Sequence, residues 1–203
     1  LVVRARGIME RKYGAEDSHL KPYLEAEAVV ELYTGHLKES QKLYEKALQL
    51  SIKQDKGHPH FGTRKLLMKL ADVHERQGNL AEAEKMLRKK LQLEEIAHGK
   101  EHHKVRDALI DLGNLLLKEK KYKPSEEALL RALNMFEQQG DDDPRVELKV
   151  MASYAELLRK SGRTGEAARQ ETKVKHLKEQ LVRDFGALPE EKKELEGEVF
   201  DAE

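Results

Sequence analysis

His98, His102 and His103 are the densest group of chemistry-bearing side chains in this chain. Imidazole is the commonest metal-ligating side chain, and a four-residue spacing on a helix brings two rings to one side. These three instead span a connection between two helical patterns. His102 stands in a helix-capping column, and His103 stands where a related connection carries Pro144. They read as linker histidines, and no metal is expected. His58 and His60 belong to a different connection, and His74 reads as a core-edge side chain. Adjacent carboxylates such as Glu94 and Glu95 carry no catalytic information in a chain with 38 Asp and Glu. The sequence contains no G-x-S-x-G elbow, no P-loop and no H-E-x-x-H pair. The DDDP run ending at Pro144 is too short for a calcium loop, which spreads its ligands over about twelve positions. The expectation is a protein that is not an enzyme and takes no cofactor.

The elements that carry these residues announce themselves by period. Four times, a small residue is followed by a turn position and then by a second small residue: Ala28/Gly35/Ser40, Ala71/Gly78/Ala83, Gly113/Lys120/Ser125 and Ala155/Gly162/Ala167. Each column advances by 43, 42 and 42 residues. A fixed period of this size is the mark of stacked helical hairpins. Two helices crossing at close range need Ala, Ser or Gly where their backbones meet. The turn between them suits a glycine in the left-handed region. Gly35, Gly78 and Gly162 fit that column and Lys120 does not. Around the anchors, Leu66, Leu67, Leu70 and Val73, then Leu80, Ala83, Leu87 and Leu91, recur at helical spacing and predict one buried face per helix. The connections GAEDSHL, DKGHPHF, GKEHHKV and DDDPRV predict helix starts, with His58, His102 or Asp143 as caps and Pro59 or Pro144 in the first turn.

The segment LADVHERQGNLAEAEKMLRKKLQLEEIAHGKEHHKV, Leu70 to Val105, resembles the tetratricopeptide repeat of the kinesin light chain type. YAELLRKSGRTGEA from Tyr154 resembles the closing repeat of bacterial arrays of this kind. The likeness spans about residues 14–180, with departures at Glu27 and Glu31, where apolar residues are expected, and at Pro124 near the start of a second helix. It implies an all-α fold, a right-handed superhelical solenoid of antiparallel hairpins, and a protein-binding role.

The expected organisation is a repeat domain over 1–186, with a partial repeat at 1–19 and repeats at about 20–58, 59–101, 102–143 and 144–186. The chain starts in what reads as the second helix of a unit, so at least one further hairpin is expected upstream. The last second helix exposes Lys173, Lys175, Lys178 and Glu179, as a terminal helix must to stop further stacking. Residues 187–203 read as an acidic tail or short helix.

In such an array the first helix of each hairpin lines the concave face. Placing those helices by their anchors turns Glu25, Val29, Leu32 and Tyr33, then Met68, Asp72, Glu75 and Arg76, towards it. Ile110, Asn114, Leu117 and Lys118, then Ala152, Glu156, Arg159 and Lys160, follow. Arg76, Lys118, Arg159 and Lys160 would form a basic stripe for an acidic peptide, with Asn114 bonding its backbone. The competing expectation is that these cations pair with Asp72, Glu75 and Glu156. Met68, Asp72, Asp111, Lys149 and Ser153 do not make the carboxylate clamp of chaperone-tail receptors.

The expected function is a non-enzymatic adaptor that binds a protein or peptide in its groove; the alternative is a structural subunit packed by its convex or terminal faces into a larger assembly. Lys plus Arg and Asp plus Glu are both 38, so no net field draws the chain to nucleic acid or an anionic membrane. No apolar run is long enough to span a bilayer, and the absence of cysteine suits a cytoplasmic protein.

Overall fold

The computed structural model describes residues 1–55, 61–139 and 143–186, and its described residues form helices and no strands. Nine α-helices follow in order among them: α1 (Val2–Tyr13), α2 (Lys21–Tyr33), α3 (Leu37–Asp55), α4 (Phe61–Arg76), α5 (Leu80–His98), α6 (His103–Lys118), α7 (Tyr122–Gln139), α8 (Pro144–Lys160) and α9 (Thr164–Phe185). A 3-10 turn at Ser18–Leu20 leads into α2. The chain divides into two compact units, Leu1–Lys120 and Lys121–Glu203. The expected segments 187–203 and the Pro59 and His58 connection lie outside the described residues.

In the first unit the small-residue columns are buried where helices meet. Ala28, Ser40 and Ala83 are fully covered, and Ala71 nearly so. The hydroxyl of Ser40 donates to the Ala28 carbonyl at 2.8 Å, which joins the two anchors of the first hairpin directly. A side chain even one methylene larger would push these backbones apart. The α2/α3 hairpin buries Leu20, Leu24, Leu43, Tyr44 and Leu50, and α4 completes that core with Leu66, Leu70 and Val73. Ala71, Ala83, Leu87, Leu112, Leu115 and Leu116 form the next core, between α4, α5 and α6.

Charged groups are buried with these cores only where they meet a partner, as desolvation demands. Glu27, which departs from the apolar pattern, is buried because Arg6 of α1 covers it, with Nε donating to Oε2 at 2.6 Å. Arg64 of α4 lies 2.9 Å from Glu94 of α5, and the ammonium of Lys90 in α5 donates to Asp111 of α6 at 2.6 Å.

The turns follow one rule with one departure. Gly35, Gly78 and Gly162 adopt φ of 84°, 79° and 85°. Lys120, expected not to fit, holds the same position with φ 60°. A left-handed residue there carries the steric cost of an L side chain, roughly 1–2 kcal/mol.

In the second unit α7, α8 and α9 bury Leu129, Ala132 and Met135, then Val150, Leu157 and Leu158, then Ala167 and Leu181. The Tyr154 hydroxyl donates to Glu126 Oε1 at 3.2 Å, and Arg163, at the turn into α9, donates to the same oxygen at 2.5 Å and to Glu166 at 2.7 Å. Asp143 caps α8 by accepting the Arg145 backbone N–H at 3.0 Å, with Pro144 in the first turn as expected.

Candidate functional site

The first helices of the first unit, α2, α4 and α6, expose a connected set of side chains. Ion pairs bridge neighbouring first helices at about one repeat: Lys65 of α4 donates to Glu25 of α2 at 2.9 Å, and Lys118 of α6 pairs with Glu75 of α4. Val29 lies one turn beyond Glu25 and Met68 one turn beyond Lys65, so this first pair brings the two to about one level, with Tyr33 one turn further along α2. Val29 is 36% exposed, Met68 37% and Tyr33 79%. An apolar row therefore lies between charged rows on this face.

Of the five residues expected to bind peptide, Arg76, Asn114 and Lys118 lie in the first unit, on α4 and α6, and Arg159 and Lys160 lie in the second, on α8. Arg76 donates to Asp72 at 3.1 Å, one turn earlier on its own helix, and Lys160 lies 2.7 Å from Glu156. Three of the four cations are thus paired with the carboxylates weighed against the stripe. Arg159 is exposed and lines a shallow cleft of the second unit with Ala152, Ala155, Val174 and Lys175. Asn114 is half-buried. Leu32 and Leu117, placed towards the groove by spacing, are instead core residues at 7% and 4% exposure. A helix at this depth carries an apolar stripe wider than two columns, so the outermost residues of the expected face turn inward.

Beneath the exposed row sits Tyr44 of α3, 1% exposed, whose hydroxyl has no hydrogen-bond partner among the described residues. Burial pushes its phenol up to about 12, with the carboxylates of Glu25 and Asp72 and the neighbouring Tyr33 adding to the effect. Nothing in the sequence spacing singled out Tyr44.

At the α5–α6 connection the His98 and His102 rings stack with centroids 4.4 Å apart, and His103 lies tilted against His102 at 4.1 Å. Among the described residues no group of three His, Asp or Glu side chains is placed to hold a metal ion. No helix of the described residues is long and apolar enough to cross a membrane.

The sequence model of the tetratricopeptide repeat matches residues 22–92 and again 62–138. A search of the curated proteins finds no match. Among solved structures, BtubC (BKLC) from P. vanneervenii is similar with a TM-score of 0.73 at 17% identity, covering 85% of this chain and 68% of that one. A Podosopora anserina protein described as a kinesin light chain with nearly identical TPR-like repeats gives 0.80 at 15% identity, covering 90% and 85%. The apo form of RapI gives 0.67 at 14% identity, covering 79% and 43%. At these identities the likeness is one of fold.

Proposed function

This chain belongs to the tetratricopeptide repeat family, and on that premise we propose that it is a non-enzymatic scaffold whose first helices hold a segment of a partner protein. The observation that carries the reading is the apolar row of Val29, Met68 and Tyr33, left uncovered on α2 and α4 between ion-paired rows. An extended or helical segment laid along such a face buries apolar side chains on the row and sets its polar groups against the charged flanks. The segment is partly acidic, meeting Arg76, Asn114 and Lys118 in the first unit or Arg159 and Lys160 in the second. The internal pairs of Arg76, Lys118 and Lys160 oppose this only weakly, because exposed pairs are worth about 0–1 kcal/mol and a partner carboxylate replaces one anion with another. A structural-subunit reading has its own support in Ile52, Phe61 and Ile96, which are 47%, 62% and 63% exposed and belong to neither of the rows described above.

Crosslinking of the captured partner, followed by peptide mapping, tests the two readings against each other. Crosslinks on α2, α4 and α6, binding that weakens as salt rises, and loss of binding in a Tyr33→Ser/Met68→Ser variant of unchanged thermal stability are the expected outcome. Crosslinks confined to the surroundings of Ile52, Phe61 and Ile96, with that variant binding as the parent does, would establish the structural subunit instead.

A further inference from the structure

The α5–α6 connection carries a device that the proposed binding face does not use. His98 closes α5, His102 caps α6 and His103 opens it. The rings meet in sequence, His98 stacked on His102 at 18° between planes and His103 tilted against His102 at 33°.

Two of these rings are held as hydrogen-bond acceptors. Nδ1 of His102 accepts the backbone N–H of Lys104 at 3.2 Å, satisfying one of the unpaired donors at the start of α6. Nε2 of His98 accepts from Nη2 of Arg64 on α4, also at 3.2 Å. Neither donor can exchange roles, since a peptide N–H and a guanidinium have no accepting form. A proton on either nitrogen therefore sets donor against donor and places like charges in one stack.

The surroundings lean the same way. From α4 comes the Arg64 guanidinium, and from α6 come His103 and Lys104, whose ammonium lies 5.3 Å above the Phe61 ring. Lys100 and Glu101 flank the stack in the connection, and Asp107 lies one turn into α6, its carboxyl raised by burial. Oε2 of Glu94 in α5 lies 3.5 Å from the same Nε2 of His98 and also 2.9 Å from Arg64. Desolvation first, then His103 and His98, hold the His102 imidazole below its ordinary value. A folded-state value that is depressed means the unfolded chain takes up the proton first, so stability is retained above the ordinary histidine range and lost as pH falls through it.

We propose that this connection is a proton-sensitive joint, in which neutral imidazoles at 98 and 102 hold the start of α6 against α4 and α5, and protonation of the stack releases the cap. Because α6 also bears Asn114 and Lys118, the joint would tie the order of that helix to pH within the range where histidine titrates.

Amide hydrogen exchange across the first two turns of α6 tests this, expressed as protection factors so that the intrinsic pH dependence cancels. In the intact chain, protection should fall about fivefold between about pH 7.5 and about pH 5.5, the size expected from losing an N-cap. His102→Asn keeps a capping oxygen that does not titrate and should be equally protected at both values. His102→Ala should be weakly protected at both. Circular dichroism confirms that each variant folds, and an NMR titration of the His102 ring reports its protonation directly. Parental protection that is the same at both pH values, or a His102→Asn variant that loses as much as the parent, would overturn the joint.

Discussion

Helices α5 and α9 are the same element written twice, and they differ where it matters for stacking. Their hairpins share the frame: Gly78 and Gly162 turn with φ of 79° and 85°, and Ala83 and Ala167 are buried to 0% and 2% exposure. In α5 the following face carries Leu87, Leu91 and Glu94, all buried or half-buried, and α6 packs against that helix through Lys90 and Asp111. The same positions in α9 are Glu171, Lys175 and Lys178, all exposed. Contacts inside a hairpin are therefore set by the small-residue frame, whereas acceptance of a further helix is set by a separate face that can be changed without touching the frame. A charged face of this kind offers no apolar surface on which a further helix could pack.

The sharpest way to break this comparison is to exchange the faces. Leu87→Glu should destabilise by about 3 kcal/mol or more, because it buries a charge with no partner between α5 and α6. Glu171→Leu, at an exposed site, should stay within about 0.5 kcal/mol and promote self-association, which sedimentation would detect. Equal melting shifts for the two would dissolve the distinction. The shared frame makes a smaller prediction of the opposite kind: Ala83→Leu and Ala167→Leu should each cost about 1–3 kcal/mol, alike in both hairpins. Denaturation of the two variants side by side checks it, and a cost confined to one hairpin would show that the frame is not common property.

The smallest effect belongs to Tyr44, which occupies the Leu87 and Glu171 column in the first hairpin. Its hydroxyl is buried without a partner among the described residues, so Tyr44→Phe should be neutral or stabilising by up to about 1 kcal/mol. The folded phenol is raised to about 12 from 10.0, so the folded state keeps its proton while the unfolded chain loses it. Parental stability should accordingly decline from about pH 10 towards about pH 12, and the Phe variant should lack that decline. Stability measured across this alkaline range separates the two.

Among the described residues the helices, the hairpin pairing within each unit, the anchors and the caps at His102 and Asp143 were legible in the chain, because each depends on local spacing and local backbone chemistry. The left-handed turn at Lys120 was not, since a lysine, unlike glycine, has no local preference for φ 60°. Glu27 read as a flaw in the first repeat until Arg6, on a different helix, was seen to neutralise it. The binding face was legible as a set of helices but not residue by residue. Leu32 and Leu117 turned inward, and Arg76, Lys118 and Lys160 found carboxylates, because helix rotation and the reach of long side chains are settled only when neighbours are in place. The histidines were visible as a cluster, yet the acceptor role of His98 rests on Arg64, 34 residues earlier in the chain. Period and residue size act along the chain and so determine which hairpins form; charge pairing, ring stacking and burial act across it, and only the packed structure decides them.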